Sequence, residues 1–188
     1  LAGNIYETKE GISNYFSLRS VNNTLAEENA RLRENLYDIS RPVIMMGNVD
    51  STKVPEVKMK YDFISAKVIN NTTSKTHNHF TLNKGANHGI KPGMGVISSK
   101  GVVGIIRTVS GKFSTAYSLL NNSVNISSEV KRTNTLCTVN WDARDPKYAR
   151  VQYVPRHIPI NNGDTIITSG YNAVFPEKIQ LGTIEEHS

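Results

Sequence analysis

The sequence predicts a mainly β protein that carries a long helix at its N-terminal end. Residues 15–39 repeat branched aliphatic side chains every seven positions, whereas from about residue 60 apolar and polar side chains alternate with a period of two. After Ser40 no stretch of useful length has a helical pattern. We therefore expect three parts: a coiled-coil dimerisation helix (1–41), a linker (42–61) and a β domain (62–188).

The heptad of the helix places a leucine or isoleucine at every d position and an asparagine at two a positions. This narrow spacing is typical of a coiled-coil seam, and asparagine at a fixes the register and favours two strands. Pro42 is expected to end the helix. We therefore predict a parallel dimer. The predicted dimerisation residues are Tyr15, Leu18, Asn22, Leu25, Asn29, Leu32, Leu36 and Ile39.

Two alternatives stay open for this helix. An amphipathic helix packed on its own β domain would also show a leucine stripe. A shorter helix could begin at Thr24, because Thr24-Leu25-Ala26-Glu27 matches a capping box.

Short β-branched segments follow the helix, separated by turn residues about every 8–12 positions, which is typical of an all-β barrel or sandwich. The alternation with helices that marks a βαβ fold is missing. The predicted strands are 62–70, 78–83, 94–99, 101–110, 113–120, 124–130, 135–141, 148–154, 163–168 and 179–185.

Composition excludes several classes of protein. The single cysteine, Cys137, rules out an internal disulfide. The net charge is +6, but the 22 lysines and arginines are dispersed, so nucleic-acid binding is not expected. No apolar run is long enough to cross a membrane, and we expect any membrane anchor to lie upstream of Leu1.

The glycine-rich stretch from Gly85 to Gly104 holds six of the chain's 13 glycines. A phosphate loop of the G-x-x-x-x-G-K-[ST] type does not occur, and Gly93-Met94-Gly95 precedes a predicted strand and not a helix. Without a helix N-terminus there is no dipole to hold a phosphate. The glycines are therefore predicted to shape turns, and no cofactor is expected.

Catalytic and metal-binding residues are not predicted either. His77 and His79 would share a strand face, but the remaining ligands of a zinc site are not suitably spaced. Ser169 follows His157 by twelve positions in a chain that offers no evident triad. A hydrolase on a trypsin-like barrel is kept only as an alternative, and we expect that the chain is not an enzyme.

Two blocks of the sequence resemble the MreC family of rod-shape-determining proteins. The first covers residues 80–121, where members of the family carry a pattern like L-T-[IL]-N-[KR]-G-x-x-x-G-[IV]-x-x-G-M-x-V. The residues that match it include Leu82, Asn83, Lys84, Gly85, Gly89, Gly93, Met94 and Val96. The second covers residues 154–184 and carries G-D-x-[VI]-x-T-S-G followed by [FY]-P. Residues on these motifs are expected to be structural: Asn83, Gly85, Gly89, Gly93, Met94, Gly101, Gly104, Gly163, Asp164, Thr168, Ser169, Gly170, Pro176 and Gly182.

The resemblance implies a coiled coil followed by two small six-stranded β barrels, either in sequence or with one (about 72–121) inserted into the other. It implies a single-pass inner-membrane protein whose extracytoplasmic region, this fragment, lies in the periplasm.

The resemblance also implies a function, that of a scaffold in the bacterial cell-elongation (rod) complex. Such a scaffold organises peptidoglycan synthesis and cell shape by self-association and by binding the elongation-specific penicillin-binding transpeptidase. Its further partners would be MreD, RodA and, indirectly, MreB. A periplasmic adaptor of a transport system is the alternative, although adaptors usually return with a second helix that is not visible here.

Overall fold

The computed structural model describes the backbone of residues 3–37, 39–42, 56–59 and 61–185, and the side chains of residues 20–37 and 61–185. The chain divides into two compact units, Leu1–Ser65 and Ala66–Ser188.

The described residues of the first unit form one helix and a two-stranded ribbon. Helix α1 spans Gly3–Tyr37, a segment with no proline and a single internal glycine, Gly11. Strand β1 (Ile39–Pro42) pairs antiparallel with β2 (Glu56–Met59). Part of the segment predicted to be a linker is therefore paired, and residues 43–55 between the strands lie outside the described residues.

The helix ends before the last predicted d position. Ile39 lies in β1, where it pairs with Met59, so its assignment to the coiled-coil seam is wrong. Pro42 disfavours helical geometry in the residue before it, and the pairing with β2 gives this backbone partners that a frayed helix end would lack.

The second unit contains two five-stranded antiparallel sheets, which follow one another along the chain. The first sheet has the order β3-β4-β7-β6-β5 and is built from β3 (Val68–Asn71), β4 (His77–Leu82), β5 (Gly95–Ser98), β6 (Gly101–Val109) and β7 (Ser114–Asn121). One turn of 3-10 helix spans Ala86–His88. The second sheet has the order β10-β9-β8-β11-β12 and is built from β8 (Asn125–Val130), β9 (Thr135–Asn140), β10 (Arg150–Gln152), β11 (Thr165–Thr168) and β12 (Gln180–Thr183).

Every strand predicted from the period of two is present, although the first begins only at Val68. The sheets differ from the expected six-stranded barrels because the described residues supply five strands to each, so that they form two curled half-barrels with free edges. The strands of the first sheet precede those of the second along the chain, and the insertion of one barrel (about 72–121) into the other stays a prediction.

The core of each sheet follows the alternation in the sequence. Strands β4 and β8 both show the burial pattern exposed, then buried at every second residue. In the first sheet Phe80 and Leu82 are buried, and in the second Ile126 and Val130 are almost completely covered. The hydrophobic effect on these faces favours the two-sheet arrangement.

Two glycines allow the sheets to meet. A Cβ at Gly95 would overlap the buried ring of Phe175, and a Cβ at Gly101 would overlap the carbonyl oxygen of Gln180 in β12. Gly101 also has φ +133, which L side chains rarely adopt.

Candidate interaction surfaces

Helix α1 presents a stripe of exposed apolar side chains. Val21, Leu25, Leu32 and Leu36, here called the apolar stripe, are between 48% and 69% exposed. Their spacing puts them on one face of the helix. Exposed apolar side chains that form a continuous row indicate a surface that binds a partner.

The last turn of α1 contacts another segment of the chain on the opposite face. The backbone N–H of Phe63 donates to Oε1 of Glu34 at 3.0 Å, and the rings of Phe63 and Tyr37 lie 5.9 Å apart between centroids. Glu34 and Tyr37 lie on the side of the helix away from the apolar stripe. The segment around Phe63 therefore leaves the apolar stripe open.

The predicted dimerisation residues are distributed as follows. Leu25, Leu32 and Leu36 belong to the apolar stripe, and Asn22 and Asn29 are exposed between them. Nδ2 of Asn29 donates to the carbonyl oxygen of Leu25 at 2.8 Å, which leaves Oδ1 able to accept a hydrogen bond. Tyr15 and Leu18 are helical, but their side chains lie outside the described ones.

The edges of the two sheets are the second kind of exposed surface. All four residues of β3, at one edge of the first sheet, are exposed, and Val68 and Ile69 are among the exposed large hydrophobic residues. Edge strands carry backbone groups without a neighbouring strand and can pair with another chain. The alternation of apolar and polar side chains does not show which strand lies outermost in a sheet. The sequence therefore did not reveal this edge.

The Asp164 motif residue is buried and forms an ion pair with the partly exposed Arg132. Its two carboxylate oxygens accept hydrogen bonds from Nε and Nη2 of Arg132 at 2.7 and 2.8 Å, and the N–H of Asn161 donates to the same group. The Arg132 hydrogen bonds, helped by that of Asn161, lower the pKa of Asp164 to about 2. Arg132 also donates to the carbonyl oxygen of Pro159, so this motif ties the loop before β11 to the turn after β8.

The Thr168 and Ser169 motif residues hold the loop between β11 and β12. Thr168 Oγ1 donates to the carbonyl oxygen of Pro176 at 2.6 Å and accepts from the N–H of Ile179 at 3.0 Å. Ser169 Oγ lies 2.9 Å from Ser127 Oγ and also accepts from a backbone N–H. A serine hydroxyl is no general base, so this geometry does not build a nucleophile of the triad type.

The motif residues of the first block shape turns and close contacts. Asn83 Oδ1 accepts from the N–H of Lys67 at 2.7 Å, and the N–H of Lys91 donates to Sδ of Met94. Gly104 lies against the carbonyl oxygen of Tyr117 on the neighbouring strand. The motif glycines with positive φ are Gly89, Gly93, Gly101, Gly163 and Gly170, whereas Gly182 faces open space.

His77 and Cys137, considered as metal ligands, have surroundings that do not form a metal site. The exposed His77 bonds through Nδ1 to its neighbour Thr76, and burial raises the pKa of the Cys137 thiol to about 11, with Glu129 adding to the effect. Within the part of the chain whose side chains are described, no group of three or more His, Cys, Asp or Glu is arranged to hold a metal ion.

Among the described residues, no helix combines the length and the apolar character that crossing a bilayer requires.

Comparisons with family models, with known proteins and with solved structures all point to the same family. The family described as "Rod shape-determining protein MreC, barrel core" matches residues 68–188. The cell shape-determining protein MreC of Listeria monocytogenes is 28% identical over 170 residues, which cover 85% of this chain and 58% of that protein. The chain spans about half the length of the curated relatives it matches.

Solved structures share the fold. MreC of Listeria monocytogenes aligns with a TM-score of 0.60 at 24% identity, over 96% of this chain and 80% of that one. MreC in a complex with the penicillin-binding protein PBP2, from Helicobacter pylori, aligns with a TM-score of 0.50 at 19% identity, over 61% and 71%.

The family match covers both half-barrel sheets, and the motif residues within it hold their turns and loops. This chain therefore belongs to the MreC family of rod shape-determining proteins.

Proposed function

We propose that the chain is a non-catalytic scaffold of the cell-elongation complex, which organises peptidoglycan synthesis by self-association and by binding the elongation transpeptidase. The observation that carries this proposal is the family match over residues 68–188. Membership of this family favours a scaffold over a transport adaptor or a trypsin-like hydrolase.

Self-association is assigned to α1. The apolar stripe is exposed, and the segment around Phe63 contacts the last turn of α1, on the opposite face. A second copy of the same helix in parallel would bury Leu25 and Leu32 against their counterparts and let Asn29 face Asn29. Two β domains would then be held at a defined spacing.

Transpeptidase binding is assigned to the β domain. A structural neighbour is a complex of MreC with PBP2, and another is described as the major periplasmic domain of a cell shape-determining filament. These descriptions support, for this chain, a penicillin-binding partner, self-association and a periplasmic location. The free sheet edges are surfaces on which a partner strand can add.

The finer parts of the proposal come from the family resemblance. They are attachment to the inner membrane by a single upstream span, and further contacts with MreD and RodA and indirectly with MreB.

Binding to the elongation transpeptidase from the same source tests the proposal. We expect saturable binding of the chain in surface plasmon resonance, and a changed rate of peptidoglycan cross-linking when the chain is added at saturation. The matched control is a penicillin-binding protein that does not serve elongation, which should bind much more weakly.

The double variant Leu25→Ser/Leu32→Ser separates the two parts of the scaffold. If the β domain carries the transpeptidase site, this variant should still bind, with faster dissociation because avidity is lost. Equal binding to the two penicillin-binding proteins, or an unchanged cross-linking rate at saturation, would count against the proposed function.

A further inference from the structure

The net positive charge of the β domain comes from the part of the chain that forms its first sheet. Residues 66–124 contain six lysines, one arginine and no aspartate or glutamate, whereas residues 125–188 contain seven basic and seven acidic residues. The first sheet therefore carries the excess positive charge of the whole chain, whose net charge is +6. Such segregation attracts a negatively charged surface.

Three of these lysines lie at one end of the sheet, in three chain segments joined by hydrogen bonds. Lys67 is tied to Asn83, because the N–H of Asn83 donates to the Lys67 carbonyl oxygen and the Lys67 N–H donates to Oδ1 of Asn83. Lys84 follows directly. The Lys112 loop joins them through the N–H groups of Ala86 and Asn87, which donate to the carbonyl oxygens of Ser110 and Gly111.

The join between these loops is close. At Gly85 an added Cβ would overlap the carbonyl oxygen of Ser110 and approach the backbone nitrogen of Phe113 to 2.6 Å. The loop that carries Lys84 therefore packs directly against the loop that carries Lys112. This packing fixes the backbone of Lys84 relative to the backbone of Lys112.

Exposed apolar side chains lie among these lysines. Phe113 and Val68 are each 46% exposed. Val68 pairs with Leu82, and Leu82 pairs with Ser114, next to Phe113. Two strand spacings, about 10 Å, thus separate Val68 from the start of β7. We call Lys67, Val68, Lys84, Lys112 and Phe113 the basic end.

This combination favours a lipid surface over a protein partner. Protein interfaces are enriched in arginine and depleted in lysine, whereas the first sheet has six lysines to one arginine. Lysines reach long distances and interact with diffuse charge, and exposed aromatic and aliphatic side chains beside them can enter the headgroup region of a bilayer. A soluble polyanion would use the lysines but gain nothing from Phe113.

We propose that the basic end docks on an anionic phospholipid surface, with the three lysines at the headgroups and Phe113 in the interface. The inference goes beyond the scaffold function. The basic end shares Val68 with the exposed edge strand β3, but the docking depends on the three lysines and Phe113, which lie outside that strand.

Co-sedimentation of the whole chain with vesicles tests the proposal. Vesicles of phosphatidylcholine and phosphatidylglycerol in equal parts should bind the chain, and phosphatidylcholine alone should not. The triple variant Lys67→Gln/Lys84→Gln/Lys112→Gln should weaken partitioning by about 100-fold, on the order of fivefold for each lysine. High salt should also weaken the binding of the parent chain to these vesicles, because it screens the lysine charges.

The matched control is Lys131→Gln/Lys147→Gln/Lys178→Gln, which removes the same charge from residues 125–188. If the position of the lysines decides binding, and not the net charge, this variant should change partitioning less than threefold. Phe113→Ala should weaken binding at every salt concentration. Thermal melting shows that each variant is folded.

Three outcomes would overturn the proposal. They are the absence of binding to the mixed vesicles, an equal loss in both triple variants, and binding to soluble polyglutamate without binding to vesicles, which would indicate an acidic protein partner instead.

Discussion

Asp164 shows how a single motif residue stabilises the β domain without taking part in chemistry. Its carboxylate is only 7% exposed and accepts hydrogen bonds from Arg132 and from the backbone of Asn161. These bonds are strong because the acceptor and the Arg132 donor are both charged. The family's aspartate is thereby explained as a link between two loops.

We predict that Asp164→Asn lowers the melting temperature by several degrees at neutral pH. The pKa of Asp164 lies at about 2 in the folded chain against an ordinary 3.8, so the ionised group stabilises the fold fully above pH 3.8. This contribution is lost as the pH falls through about 2. The difference between parent and variant, measured by circular dichroism, should therefore shrink over this acidic range.

Asp142→Asn is the control for this prediction. Asp142 also pairs with arginines, Arg150 at 2.9 Å and Arg144 at 3.6 Å, but it is more exposed, at 22%. Ion pairs open to water contribute little. An equal loss of melting temperature in both variants would contradict a special role of the Asp164 pair.

At Gly101, in β6, the backbone of β12 lies too close to leave room for a side chain. We predict that Gly101→Ala lowers the free energy of unfolding by about 2 kcal/mol, because the positive φ is strained for alanine and the Cβ would meet the Gln180 carbonyl oxygen. Urea unfolding can be followed by the fluorescence of Trp141, the only tryptophan in the chain, which is buried in the second unit.

The matched control for Gly101 is Gly182→Ala in β12. A Cβ there would meet nothing within 4 Å, so this variant should unfold within about 0.5 kcal/mol of the parent. If both alanine variants were equally stable, the close contact between β6 and β12 would not constrain the fold.

At the scale of elements, α1 has two faces with different roles. The face of Glu34 and Tyr37 is used within the chain, by contacts with Phe63. The apolar stripe is left exposed, and an isolated helix with such a face gains stability only by packing against a partner. The coiled coil through this stripe stays a prediction.

We predict that Leu25→Ser/Leu32→Ser converts a dimer into a monomer in sedimentation experiments, while the β domain keeps its melting temperature. The control Glu27→Ser/Arg31→Ser removes side chains of similar helix propensity from exposed positions off the apolar stripe, and it should stay dimeric. A persistent dimer in the leucine variant would place dimerisation elsewhere in the chain.

At the scale of the whole molecule, the chain consists of two units with separate sources of stability. The second unit, Ala66–Ser188, contains both sheets and the buried apolar residues from Phe80 to Ile184. The arrangement suits a scaffold in which one part assembles copies and the other binds partners.

We expect residues 66–188 alone to fold, because both sheets and their shared core lie within this range. A fragment of these residues should show the Trp141 fluorescence and the unfolding midpoint of the whole chain, within experimental error. A fragment that is unfolded, or that melts much earlier, would show that the helix unit supports the sheets.

The sequence alone determined the helix, every strand of the two sheets and the family. The helix and the strands follow from local regularities, namely a repeat of seven, an alternation of two and turn residues at fixed offsets. The family follows from the resemblance of the two motif blocks, 80–121 and 154–184.

Only the tertiary structure decided which side chains and strands far apart in the chain contact each other. The Arg132 partner of Asp164 lies 32 positions away, and neither residue type predicts the other. The end of α1 before Ile39, the pairing of β1 with β2 and the exposure of β3 likewise depend on which strands become neighbours. Such contacts are set by packing and hydrogen bonding in three dimensions, for which a local pattern in the chain has no signal.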